Sequence, residues 1–268
     1  MPPWPDEETP RTPPPPGGRR YRLCIAYDGT DFSGWQFQPG RRTVQGAVEG
    51  ALSKLTGETA RVHACGRTDA GVHAAGQTAH LDLARPWEPA ALQKGLNALL
   101  PDDVRILRLA RARDAFHARY DAKGKEYRYS VWNAPVENPL LRRQALHIRT
   151  PLDLAAMRRA AAMLEGTRDF AAFSANPHRE IGGTVRTLRR LAVSRRGPLV
   201  TISAVGDGFL YKMVRSLAGH LLRVGRDAVP AEETLPILES RVRTARVETA
   251  AARGLCLWRV FYGRMPGE

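Results

Sequence analysis

The segment Cys65-Gly66-Arg67-Thr68-Asp69-Ala70-Gly71-Val72-His73-Ala74 sets one carboxylate between two glycines, with a guanidinium two residues before it and an imidazole four after. Glycines permit backbone angles closed to other residues and let a ligand come close to the main chain. A carboxylate there can act as nucleophile or base, or it can cap its own backbone in an Asx-type turn. The segment alone leaves both open. It does exclude a phosphate-cradling P-loop: Gly66 and Gly71 have that spacing, but Val72-His73 stands where Lys-Ser/Thr is required.

Other chemistry-bearing residues are scattered. Leu210, Met213, Val214, Leu217, Leu221 and Val224 fall on one stripe at helical period. At about 100° per residue Arg215 lies off that stripe, one turn from Tyr211, where it faces either a cleft or solvent. Tyr127 and Tyr129 share one face of a strand, and spacing does not choose between them. The seven histidines show no HExxH or other metal-ligand spacing, and His73 and His80 need a third ligand from elsewhere. No metal is expected.

These residues need a scaffold, and the hydrophobic pattern predicts one. Tyr21, Leu23, Ile25 and Tyr27 alternate as one apolar strand face. Thr43 reads as the N-cap of a helix and Gly57 as its stop. Strands over 61–64 and 77–83, a helix over 88–99 and a strand over 104–110 complete a β-α-β-β-α-β order, the split pattern of ferredoxin-like domains. Downstream, strands are expected over 125–132 and 145–149, and a helix over 151–165 with Pro151 in its first turn. A hairpin over 184–194 and 199–205, a helix over 209–224 and a closing strand over 255–262 follow. Both halves read as mainly antiparallel sheets with helices on one face, an α+β layout. Residues 19–112 and 113–268 form the two expected halves, and 1–18, with eight of the twenty prolines, an expected disordered tail.

With 268 residues the chain can bury one substantial core or two modest ones. Its formal charge of +14 favours a polyanionic partner, nucleic acid or anionic membrane. Only five of the 41 basic residues are lysines. A GC-rich genome would give the same arginine bias, so the weight rests on the charge. No apolar run reaches the length of a membrane span, and the N-terminus lacks a secretory h-region. Cys24, Cys65 and Cys256 form no CxxC pair and read as buried thiols of a reducing cytosol. Phe32, Trp35 and Phe37 lie near Arg41-Arg42, a mixture that can stack on bases or fold onto the domain.

Six segments, in order, resemble the tRNA pseudouridine synthase A family: Tyr27-Asp28-Gly29-Thr30-Asp31-Phe32-Ser33-Gly34-Trp35-Gln36; Gly66 to His73; Leu96-Asn97-Ala98-Leu99-Leu100-Pro101; Phe116-His117-Ala118-Arg119; Lys125-Glu126-Tyr127-Arg128-Tyr129; and Met213-Val214-Arg215. The resemblance covers about Tyr21 to Tyr262; the proline-rich tail has no counterpart in it. It implies conversion of uridine to pseudouridine on the 3′ side of the anticodon stem-loop of tRNA (uridines 38 to 40). It also implies two ferredoxin-like halves joined in a continuous sheet, a cleft site between them, a cytoplasmic homodimer, and no cofactor or metal. By the same resemblance Asp69 is the catalytic aspartate, Arg215 the arginine paired with it, Tyr127 the base-stacking tyrosine and Arg67 an RNA contact.

The reaction breaks an N-glycosidic bond, turns the held uracil and forms a C–C bond through C5. Attack at C1′, attack at C6 and a glycal route all need the carboxylate ionised, which a close guanidinium favours. Tyr127 offers a ring for stacking and a hydroxyl for removing the C5 proton; with a reference pKa of about 10, the second role needs help. Lys123, Lys125, Arg128, Arg41 and Arg42 are candidate phosphate contacts. A noncatalytic RNA-binding module would leave Asp69 and Arg215 idle, and a metal-dependent nuclease would need clustered carboxylates or histidines, which the sequence lacks.

Overall fold

The computed structural model describes residues 12–176 and 183–265. Most of the expected tail, residues 1–11, lies outside them. Thr12 to Gly18 is described, and its carbonyls are used: Arg20 Nη2 donates to Thr12 O at 2.6 Å and Gly18 N–H to Pro15 O at 2.8 Å.

The first half follows the expected order: β1 (Arg19–Tyr27), α1 (Val44–Thr56), β2 (His63–Ala64), β3 (His73–Leu83), α2 (Pro89–Leu99) and β4 (Val104–Arg111). Thr43 caps α1 by accepting from the Gly46 N–H, and Gly57, at φ 72°, ends it in the left-handed region. Then come β5 (Gly124–Asn133), β6 (Leu146–Ile148), α3 (Leu154–Met163), β7 (Gly166–Asp169), β8 (Val185–Arg196), β9 (Leu199–Gly206), α4 (Met213–Gly225), α5 (Thr234–Glu239) and β10 (Leu255–Phe261).

Several boundaries differ from expectation: β3 starts at His73, four residues before the expected strand, and α5 has no expected counterpart. Helix α3 starts at Leu154, because the Asp153 carboxylate accepts from the Ala155 and Ala156 N–H groups and caps it there; Pro151, expected in the first turn, lies before the helix. Gly166 opens β7, which pairs with β8, instead of merely ending the helix. Helix α4 starts at Met213: Lys212 has φ 57°, so Phe209 to Lys212 is a loop and Tyr211 lies outside the helix.

The described strands make one mixed, mostly antiparallel sheet in the order β4-β1-β3-β10-β5-β9-β8-β7, with β2 on β3 and β6 on β5. Its two parts join where β10 runs parallel to the start of β3, His73 beside Cys256 and Ala74 beside Leu257. Tyr21, Leu23 and Ile25 of β1 and Tyr129 and Val131 of β5 share a single buried core with apolar residues of α1 to α5. Arg22, Cys24, Arg128 and Ser130 alternate with them and keep some exposure. No helix among the described residues is long and apolar enough to cross a membrane.

Candidate active site

The Asp69 loop lies between β2 and β3, beside the junction with β10. The Phe32–Trp35 segment and the loop's own turn hold its backbone. The Trp35 N–H donates to Thr68 O at 3.0 Å, the Gly71 N–H to Phe32 O at 3.3 Å and the Val72 N–H to Asp69 O at 3.1 Å. The Tyr27 hydroxyl meets Thr68 Oγ1 at 2.8 Å. Gly34 packs flat against the loop at φ 93°; a methyl there would lie 2.7 Å from the Thr68 carbonyl oxygen. The Asx-turn alternative is absent from these contacts: the Asp69 main chain makes the turn, and its carboxylate turns elsewhere.

Its partner is Arg215. Nη1 donates to Asp69 Oδ2 at 3.0 Å across 146 positions of sequence. The side chains retain 14 % (Arg215) and 27 % (Asp69) of their exposure. Arg215 therefore faces the Asp69 loop and not solvent. Nε donates to Ala250 O at 2.8 Å, so the guanidinium is held from two directions. Helix α4 can project this arginine because it is buried on nearly every other side, with Met213, Val214, Leu217, Ala218 and Leu221 in the core.

Tyr127 completes the group, and the structure separates it from Tyr129. Tyr129 is fully buried and its hydroxyl donates to Ala251 O at 2.9 Å, which makes it a packing residue. Tyr127 is 8 % exposed, and no hydrogen bond to its hydroxyl is found among the described residues. Tyr21, Tyr27 and Tyr262 all make one. Burial pushes the Tyr127 pKa up, and Tyr27, Cys65 and Asp69 nearby add to the effect. The hydroxyl thus keeps its proton. Phe209, which sequence reasoning passed over, sets its ring edge to face against Tyr127, centroids 5.2 Å apart and planes at 84°. Only its aromatic type, just before α4, could have signalled it.

Arg67 is exposed on the Asp69 loop. Among the candidate phosphate contacts, Arg41 and Lys123 are exposed. Arg42 is bidentate to Asp103 at 2.8 and 2.9 Å and lies over the Phe32 ring, and Arg128 pairs with Glu126 and lies over Trp258. Phe32 and Trp35 are buried in the core, so of the three loop aromatics Phe37 alone is exposed. Cys65 is buried, Cys24 and Cys256 are half-buried, and all three are free thiols.

With this geometry in view, the match to known proteins is decisive. The tRNA pseudouridine synthase family matches at residues 23–121 and 160–263, which takes in Asp69, Tyr27, Phe209 and Arg215. The chain belongs to the tRNA pseudouridine synthase family. Curated relatives agree over nearly the full length. A protein of Geobacillus sp. (strain WCH70), named tRNA pseudouridine synthase A, is 41 % identical over 245 residues, covering 91 % of this chain and 98 % of its own. Proteins of the same name from Brevibacillus brevis (44 % identical, 91 % and 100 % covered) and Shouchella clausii (45 % identical, 91 % and 94 % covered) extend the likeness. As a pseudouridine synthase the chain is an isomerase acting on tRNA uridines.

Proposed function

We propose that this synthase isomerises uridines on the 3′ side of the anticodon stem-loop, with Asp69 as nucleophile or base toward the flipped nucleotide and Arg215 as its cationic partner. The observation that carries the reading is the Asp69–Arg215 pair at 3.0 Å. It joins a loop from one expected half, 19–112, to a helix from the other, 113–268, with Tyr127 close enough to feel the Asp69 charge. A structural ion pair would need no buried tyrosine with an unengaged hydroxyl beside it.

Tyr127 we assign to stacking on the extracted uracil. Because burial holds its proton in place, it cannot serve as a resting phenolate base. Arg67, exposed on the same loop, suits a backbone contact. Flipping a stem uridine costs a few kcal/mol, and the +14 charge offsets this through phosphate contacts and counterion release. The same reading makes the enzyme a cytoplasmic homodimer that needs no cofactor or metal; light scattering checks the dimer.

The test is tritium release from C5-labelled uridine, comparing whole tRNA with a bare anticodon stem-loop. Release from both, abolished by Asp69→Asn, supports the proposal. RNA binding without release by the wild-type chain would make it a binding module instead. Release from tRNA confined to uridines outside the anticodon stem-loop would overturn the site specificity.

A further inference from the structure

The catalytic pair is held by a connector as well as by its own ion pair. Residues 250–254 run across the junction of the two sheet parts, and three of their carbonyls collect side-chain donors from three different elements. Ala250 O accepts from Arg215 Nε of α4 at 2.8 Å. Ala251 O accepts from the Tyr129 hydroxyl of β5 at 2.9 Å. Arg253 O lies 3.1 Å from His73 Nε2 of β3, four residues after Asp69. The Ala250 N–H in turn donates to Arg215 O at 3.0 Å. Upstream, Arg243 straps the same stretch to α4, donating to Ser216 Oγ at 2.9 Å, Val247 O at 3.1 Å and Thr249 Oγ1 at 2.7 Å.

These contacts close a ring. From the Asp69 carboxylate it passes through Arg215 to Ala250, along the backbone to Arg253, through His73, and back along the loop to Asp69. His73 is the residue that closes it. The Gly29 N–H donates to His73 Nδ1 at 3.1 Å, so a neutral ring carries its proton on Nε2 and can donate to Arg253 O. Asp28 Oδ1 is also 3.1 Å from Nδ1 and suits the imidazolium. Either form has a proton on Nε2. The connector is therefore gripped in both protonation states.

We infer that His73 is a positioning residue: through the Arg253 carbonyl it fixes the 250–254 connector, and with it the angle at which Arg215 meets Asp69. This rests on the reading of Asp69 and Arg215 as the reacting pair. Donors held by a supporting shell keep a site within the narrow tolerance that reaction geometry demands, and displacement by about 1 Å can cost about 100-fold in rate.

The experiment compares His73→Ala, His73→Gln and Asp69→Asn by single-turnover rate at saturating enzyme, alongside tRNA affinity. His73→Ala is expected to lose about 10- to 100-fold in rate while its affinity stays within about twofold. His73→Gln supplies an amide N–H near the Nε2 position and should restore most of the rate. Adding His73→Ala to Arg215→Ala should cost less than about twofold more, because residues acting as a unit are not additive. Three results overturn the inference: a wild-type rate for His73→Ala while Asp69→Asn is dead, equal losses for Ala and Gln, or affinity falling in step with rate. An active Asp69→Asn overturns the reading of the pair itself, and the inference with it. Should His73→Ala not fold, Tyr129→Phe, which removes the neighbouring grip on Ala251, decides: a slowed turnover at unchanged affinity supports the connector, and a wild-type rate removes it.

Discussion

Asp69→Asn is the perturbation that bears hardest on the site, because it changes charge while nearly preserving shape. Its structural cost follows from the exposure of the pair. An exposed ion pair contributes about 0–1 kcal/mol, and breaking a fully buried one costs about 3–5 kcal/mol. With 27 % and 14 % of the side chains exposed, the pair lies between these limits. The Asn amide oxygen can still accept from Arg215 Nη1, and Arg215 keeps Ala250 O. A loss of about 1–2 kcal/mol is expected, which at about 2–4 °C per kcal/mol lowers Tm by only about 2–8 °C. The chemical cost is of another order. An amide oxygen is a far poorer nucleophile and base, so the barrier rises by about 4 kcal/mol or more, close to three powers of ten in rate. Single-turnover kinetics on tRNA at saturating enzyme separates this from binding. Arg215→Ala should lose less, since the carboxylate remains, and the double variant should lose little beyond Asp69→Asn alone. If Asp69→Asn keeps a tenth of the wild-type single-turnover rate, Asp69 is not the catalyst.

Further expectations can be checked with stability and binding measurements. Gly34→Ala forces a methyl to 2.7 Å from the Thr68 carbonyl at φ 93°, so it should cost about 1–3 kcal/mol and slow turnover by shifting the Asp69 loop; unchanged kinetics would show that the loop does not rest on Gly34. Burial lowers the pKa of His80 to about 3, with His63, His117 and Arg20 adding to it, and that of His220 to about 4, with Arg223 adding. Both fold neutral while the unfolded forms take protons near pH 6.5, so stability should fall between pH 6.5 and 4 by up to about 1.4 kcal/mol per pH unit for each. His220→Gln should flatten that slope in urea titrations, and an unaltered slope would exclude the residue. Arg41→Ala should weaken tRNA binding and reduce its salt slope by about one, whereas Arg42→Ala, which breaks the bidentate bond to Asp103, should mainly lower Tm. Removing residues 1–11 should leave Tm and turnover unchanged, while removing 1–18 should lower Tm by taking the Thr12 acceptor from buried Arg20; equal melting of the two truncations would show that contact to be idle.

Local rules made much of this chain legible. The alternation of Tyr21, Leu23, Ile25 and Tyr27 marks β1, and Thr43 and Gly57 bracket α1, because pleat period and end capping act within a few residues. The Asp69 motif likewise announced itself by composition. Sequence did not reveal that Phe32 and Trp35 turn into the core, that Lys212 breaks the apparent helix before Met213, or that Asp153 and not Pro151 starts α3. Nor did spacing choose Tyr127 over Tyr129. That choice depends on which hydroxyl meets the Ala251 carbonyl, a contact spanning 122 positions. The pairing of Arg215 with Asp69 spans 146, and it exists because β10 lies parallel to the start of β3 and brings the two sheet parts together. Periodicity states which way a side chain points from its own element; what it meets there is set by how distant elements dock, and only the folded chain decides that.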